Sequence, residues 1–301
     1  MNTKIFTVIG LKVIALTIIL FFVFIIAVTI SNITGTSSST GELSQVSVGR
    51  TLFSVLLVSF LYTAIFTFII LRSHWNGWKL VGAVFLAFYG LMTVVTQIES
   101  IVYLQRQLPS DMIPKLFMSG AIMAGLFSPL AVLILGKMRR ESMPPIQNLR
   151  LVMPLGEWTW KLVAIAAVYV VLYFTFGYFI AWKNPVVREY YGSTELDSFF
   201  TRIAYIWEMN SMLFLLQAFR AILWIAFVVP VIRMMKGNLW ETGLCVALLY
   251  SILGSAQLLL PNPYMPEIVA KMHLVEIATS NFIFGWVVVW LLNKNYVSIR
   301  E

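Results

Sequence analysis

Eight apolar runs, each close to the length of a bilayer crossing, dominate this chain: residues 8–30, 51–71, 79–102, 113–136, 159–181, 211–232, 239–260 and 268–292. A helix needs about 20 apolar residues to cross a hydrocarbon layer of roughly 30 Å. Backbone N–H and C=O groups find no water there, so each run must satisfy them internally, as a helix does. The predicted fold class is therefore all-α: a polytopic integral membrane protein with about eight transmembrane helices. Composition agrees. Only 11% of residues are charged, against about 25% in soluble domains, and mean hydropathy is +0.87. The shortage of charge runs the whole length, which excludes a soluble domain on one anchor. The first run exceeds the roughly 7–15 residues of a signal-peptide core and lacks a clean small-x-small cleavage site, so it reads as the first membrane helix.

The formal charge of +8 is a threading signal. With the N-terminus in the cytoplasm, thirteen of the 21 Lys and Arg residues fall on the inner face and seven on the outer; Arg220 is the remaining one. Four acids lie inside and seven outside, so the inner face is +9 and the outer neutral. Cytoplasmic loops carry such an excess of Lys and Arg. The expected orientation is both termini inside, in a bacterial cytoplasmic membrane, with the lipid bilayer as standing partner. No loop has the length or basic–aromatic interleaving of a nucleic-acid module, so no nucleic-acid partner is expected. The single Cys245 lies inside an apolar run, which excludes an intrachain disulfide or a cysteine metal site.

The basic, Pro-Pro-containing stretch 137–158 divides the chain into four-helix units at 1–136 and 159–301. The halves resemble one another faintly. Arg72 and Arg233 end their second spans, Gly/Trp loops follow, and Thr96-Gln97 and Ala256-Gln257 stand near the ends of the next spans. Such a repeat of four spans is parallel rather than inverted. Chance likeness between apolar helices is the rival explanation. In the longest outer loop, Phe199, Phe200, Ile203, Ile206 and Trp207 recur at helical spacing. This predicts a short helix in the headgroup layer, the alternative being an early start to the sixth span. Ser31–Gly49 reads as a plain Ser/Thr/Gly-rich loop. Pro261, Pro263 and Pro266 stiffen the connection before the last span, as a rim or as a simple tight turn.

Among Lys, Arg, Asp, Glu and His within the runs, those not assigned to either face are Glu99, Arg220, His273 and Glu276. A guanidinium cannot shed its proton, so Arg220 needs a partner or a cavity. At about 1.5 Å per residue, Arg220 and Glu276 both lie roughly 12–14 Å below the outer boundary. Matching depth makes them expected partners. His273, Glu276 and Ser280 share a stripe edged by Asn281; Gln217, Arg220 and Trp224 share another; Thr96, Glu99 and Tyr103 share a third. With Gln257, these residues predict an outward-facing polar pocket among the third, sixth, seventh and eighth spans, binding or transporting a small polar or anionic ligand or a lipid headgroup. Two alternatives stand beside it: an intramembrane enzyme at the outer leaflet using His273 and Glu276 as acid and base, and a structural role in which buried charges fix helix packing. No cofactor is expected. His273-x-x-Glu276 has metal-ligand spacing, but no metal is assigned, because two ligands on one helix are a common accident. His74 and His273 stand at opposite depths, which disfavours a bis-His haem. Ser280 and His273 are about 10 Å apart in rise, too far for a hydrolase dyad. No phosphate loop, HExxH or GxSxG occurs.

Overall fold

The computed structural model describes residues 3–34, 48–103, 108–139 and 151–293. Among them the secondary structure is helical apart from one isolated bridge, and eight helical stretches are long and apolar enough to cross a membrane. They are Phe6–Asn32, Val48–Leu71, Gly77–Val102, Met112–Ile134, Leu155–Trp182, Met212–Met234, Leu239–Leu259 and Glu267–Asn293. These match the eight apolar runs to within about four residues. The fifth departs most at its start, because Pro154 takes the N-cap position and recruits Leu155, Gly156, Glu157 and Trp158 into the helix. A proline ahead of a helix loses nothing, since the first turn's N–H groups have no intrahelical acceptor. The chain divides into two compact units, 1–147 with 234–236, and 148–233 with 237–301. Residues 35–47 of the Ser31–Gly49 loop and 140–150 of the basic stretch 137–158 lie outside the described residues.

The first unit contains α1 (Thr3–Thr34), α2 (Val48–Leu71), α3 (Gly77–Tyr89), α4 (Thr96–Tyr103) and α5 (Met112–Ile134). Between α3 and α4 the helix widens into a π segment, Gly90–Val95. Tyr62, Phe66, Phe88 and Phe127 form its aromatic centre, with ring centroids 5.0–6.1 Å apart. Gly120 of α5 admits Thr93 of the π segment against its backbone, where any Cβ would collide. Helix α5 ends in a Schellman cap. Gly136, at φ +81°, donates to the Leu133 carbonyl at 3.0 Å, and Lys137 donates to Val132 at 2.9 Å. Residues Met234–Lys236 join this unit through the bridge between Ser73 and Met235. His74 N–H donates to Met234 O at 2.7 Å, and Lys236 N–H to Arg72 O at 2.8 Å.

The second unit contains α6 (Leu155–Phe176), a π segment Gly177–Trp182, α7 (Pro185–Tyr190), α8 (Phe199–Asn210), α9 (Met212–Met234), α10 (Leu239–Ser255), a 3-10 turn Ala256–Leu259 and α11 (Glu267–Asn293). The short helix expected from Asp197 to Trp207 exists as α8, with Ser198 as its N-cap. Only Ser211, itself at helical dihedrals, separates it from α9. Helices α10 and α11 pack on each other through small residues, as membrane helices do. A Cβ at Gly285 of α11 would stand 2.5 Å from Ala247 Cα, and Gly243 of α10 seats the Trp286 ring. Lys161, counted in sequence among the solvent-facing inner charges, is instead only 1% exposed. Its Nζ meets Glu157 Oε1 at 2.9 Å and donates to Leu292 O at 3.1 Å. An ammonium there satisfies carbonyls at the last turn of α11 and suits the negative end of its dipole.

The close approach of α10 and α11 makes a prediction. Gly285→Ala forces two backbones apart and is expected to destabilise the protein by about 1–3 kcal/mol. Gly125→Ala, where nothing lies within 4 Å of the new Cβ, is expected to be neutral or stabilising by about 0.4–1 kcal/mol. Unfolding curves in a single detergent check both.

Candidate functional site

Four candidate residues of the second unit, His273, Glu276, Gln217 and Arg220, fall into two hydrogen-bonded groups. The first is built on α11. His273 stands two turns into that helix and Glu276 one turn further, so the two side chains rise on one face. His273 Nδ1 lies 2.7 Å from Glu276 Oε2. The other ring nitrogen, Nε2, is 3.1 Å from the Tyr191 hydroxyl, and the two rings meet edge to face at 5.8 Å. If Tyr191 donates its hydroxyl proton to Nε2, Nδ1 carries the ring proton toward the carboxylate. Glu276 is 7% exposed. Its other oxygen, Oε1, sits over the first residue of the π segment, 3.3 Å from where a Cβ of Gly177 would be. The wide turn that begins at Gly177 and the missing side chain there together leave room for a carboxylate against α6.

The Tyr191 hydroxyl reaches this point because α7 is anchored. Asn184 caps α7, its side chain accepting from Val186 N–H at 3.0 Å. Val187 packs with Ala181 and Val269. Arg188 is buried and donates from Nη1 to the carbonyls of Trp182 and Lys183 at 2.9 and 3.0 Å, closing the end of the π segment. Tyr190 donates to Tyr264 O at 2.9 Å, tying α7 to the proline-rich connection before α11. Within that connection Asn262 accepts from Tyr264 N–H at 2.9 Å, an Asx turn. Further along, Arg202 of α8 lies 3.9 Å over the Trp182 ring. Burial pulls the Arg202 guanidinium below the usual arginine value, while Tyr205 and Asp197 act to raise it.

The second group surrounds Arg220, which is 3% exposed. Its Nη1 donates to Gln217 Oε1 at 2.7 Å, one turn back on α9. The guanidinium carbon is 6.0 Å from the centre of the Tyr169 ring on α6. Tyr169 accepts from Trp224 Nε1 at 3.3 Å, and Tyr250 donates to Trp224 O at 2.7 Å. Phe284 closes the cluster, 4.7 Å from Tyr169 and 5.5 Å from Tyr250. Asn281 is buried where α10 offers Gly254; its Nδ2 and the Trp224 ring both lie over that glycine. Gln217 is fully buried, and its Nε2 has no hydrogen-bond partner among the described residues.

Six of the seven residues selected from sequence, all but Glu99, lie in the second unit. Arg220 donates to Gln217, and Glu276 meets His273, each one turn away on its own helix. Gln257 is half-buried on the 3-10 turn, its carbonyl accepting from Leu260 N–H. Glu99 belongs to the first unit, half-buried on α4. The Tyr103 side chain falls outside the described residues. No group of three His, Cys, Asp or Glu residues among the described residues could hold a metal ion. Missed from sequence were Tyr191, Tyr169 and Gly177. Two lie in the fifth span, which carries no charge in its middle and drew no attention; Tyr191 looked like one interfacial aromatic among many.

The Tyr169 hydroxyl gives a direct test of the second group. Tyr169→Phe keeps the ring against Phe284 and removes the acceptor of the buried Trp224 Nε1–H. The expected cost is about 1–3 kcal/mol, read as a lowered thermal midpoint in detergent.

Comparisons of the chain with protein-family models, with curated proteins and with solved structures find no match.

Proposed function

We propose that this is a multi-pass membrane protein whose second unit carries an outward-facing polar pocket, and that it binds or transports a small polar or anionic ligand or a lipid headgroup. One observation carries the reading: two opposite charges, Arg220 and Glu276, are almost fully buried inside apolar spans of one unit. Intramembrane charge is costly and marks ligand or ion pathways by default. Arg220 is the anchor, since a guanidinium suits carboxylate and phosphate oxygens. Gln217, Gln257 and Asn281 supply neutral polar contacts, and Glu276 is the counter-charge.

The orientation belongs to the same proposal. The excess of Lys and Arg on one face supports both termini in the cytoplasm, in a bacterial cytoplasmic membrane. Duplication of a four-helix unit is supported by two parallels. In each unit the first and fourth spans pack together, as do the third and fourth. In each, the third span departs from α geometry, at Gly90–Val95 and at Ala256–Leu259.

A second reading has its own observation. The 2.7 Å contact between His273 and Glu276 is the geometry of an oriented acid–base pair, which suits an intramembrane enzyme at the outer leaflet. Transport and catalysis separate cleanly in reconstituted vesicles. Vesicles holding the protein and offered a mixture of phosphate, small carboxylates and amino acids are expected to accumulate one class, read by mass spectrometry. Arg220→Ala is expected to reduce that uptake by roughly tenfold or more, the worth of a charged hydrogen bond of about 1.5–3 kcal/mol. Uptake unchanged in a folded Arg220→Ala protein rules out the pocket as drawn. Conversion of an offered substrate, lost in Glu276→Gln with binding retained, selects the enzyme. Single removals that destabilise, with stability restored in the Arg220→Gln, Glu276→Gln double variant, select a packing role.

Orientation is checked with cysteines. Cys245 is buried and the sole native thiol, so Cys245→Ala gives a clean background. A cysteine at Ser193 is expected to react with a membrane-impermeant maleimide added to intact cells, and one at Ser142 only after lysis. The opposite pattern inverts the topology.

A further inference from the structure

We propose that Tyr191, His273 and Glu276 form a proton-transfer relay, which carries a proton from the Asn184–Gly192 connection to the carboxylate buried in α11. The proposal deepens the pocket described above, on which it rests for what the proton is coupled to; the relay itself is defined by its own three residues.

The geometry sets the order of the groups. Tyr191 stands at the end of α7 and is partly exposed, His273 is 18% exposed and the Glu276 side chain 10%. The path thus runs from two partly exposed side chains to a more buried carboxylate. With the ring neutral and protonated at Nδ1, the Tyr191 O–H donates to Nε2 across 3.1 Å and Nδ1–H donates to Glu276 Oε2 across 2.7 Å. In the transfer, the Tyr191 O–H bond breaks and an Nε2–H bond forms. The Nδ1–H bond breaks and an O–H bond forms on Glu276. The imidazole stays neutral with its tautomer reversed, the carboxylate becomes a carboxylic acid, and the phenolate takes a proton from a hydronium at the connection, which leaves as water. The net change is one proton moved from that hydronium to Glu276. Gly177 puts no side chain of its own against Oε1.

The surrounding ionisable groups are engaged elsewhere. On α11, Lys271 pairs with Glu267 at 2.7 Å, and both are exposed. On α7, Arg188 is turned to the Trp182 and Lys183 carbonyls and Glu189 is exposed. On the π segment Tyr178 donates to Asp197 O at 2.6 Å. On α6, Tyr169 accepts from Trp224, and on α10 Tyr250 donates to Trp224 O. Tyr190 supplies an internal contrast. It neighbours Tyr191 in the chain, yet its hydroxyl donates to a backbone carbonyl, and burial pushes its phenol above the ordinary tyrosine value. A carbonyl accepts a hydrogen bond but does not take the proton; an imidazole nitrogen does both.

The test uses the full chain in micelles and an aryl sulfonyl fluoride, with labelled tyrosines mapped by mass spectrometry. Tyr191 is expected to react at least about tenfold faster than Tyr190, and its rate to fall at least about tenfold in Glu276→Gln and in His273→Gln, because the base that takes its proton is weakened or lost. In parallel, 15N-histidine NMR shows two ring systems, His74 and His273, which His273→Gln assigns. The expected wild-type His273 is a neutral ring protonated at Nδ1, and both Glu276→Gln and Tyr191→Phe shift its tautomer balance. Equal labelling of Tyr190 and Tyr191, or a Tyr191 rate and His273 spectrum indifferent to Glu276→Gln, overturns the relay. Should His273→Gln fail to fold, the near-isosteric Glu276→Gln and Tyr191→Phe proteins decide. Failure of the pocket reading is seen separately: Arg220→Ala without effect on uptake, with Tyr191 labelling intact, removes the pocket and leaves the relay.

Discussion

Inside a bilayer the peptide backbone must bond to itself, and the rest of this structure answers to that constraint. Eight apolar stretches become helices because no other open structure satisfies their N–H and C=O groups without water. The ends are closed by local devices. Gly136 terminates α5 through a left-handed cap, Arg188 takes up carbonyls at the end of the fifth span, and Lys161 takes up Leu292 O near the end of the last. Charged side chains here act first as caps for backbone groups.

Where the helical ladder departs from regularity, side chains approach that could not do so otherwise. The π segment at Gly90 receives Gly120 of α5 against Thr93. The π segment at Gly177 receives the carboxylate of Glu276. Such widened turns shift the side-chain register by about a residue and recur at functional positions. In this protein the second lies directly against the deepest residue of the Tyr191–His273–Glu276 chain.

Two buried cations of the second unit, Arg220 and Lys161, have different surroundings. Arg220 lies over an aromatic cluster, with Gln217 accepting from it. Lys161, equally buried, is fully accounted for by Glu157 and a helix-end carbonyl. Burial alone therefore does not distinguish these two cations. They differ in position along the helix. Lys161 is in the second turn of its helix, whereas Arg220 is near the middle of a span that carries no acid.

Much of the architecture was legible in the order of residues. Span number, approximate limits, the separate helix at Phe199 and the concentration of ionisable residues on α9 and α11 all follow from hydropathy and helical spacing, because these are one-dimensional properties. The same spacing placed His273 and Glu276 on one face. Tertiary structure decided what lies opposite each face. It brought Tyr191 to His273 across 82 positions of chain, set Gly177 beneath Glu276, and slid Tyr169 between Arg220 and Trp224. None of these follows from periodicity, since an apolar span reads alike from every side until another helix packs on it.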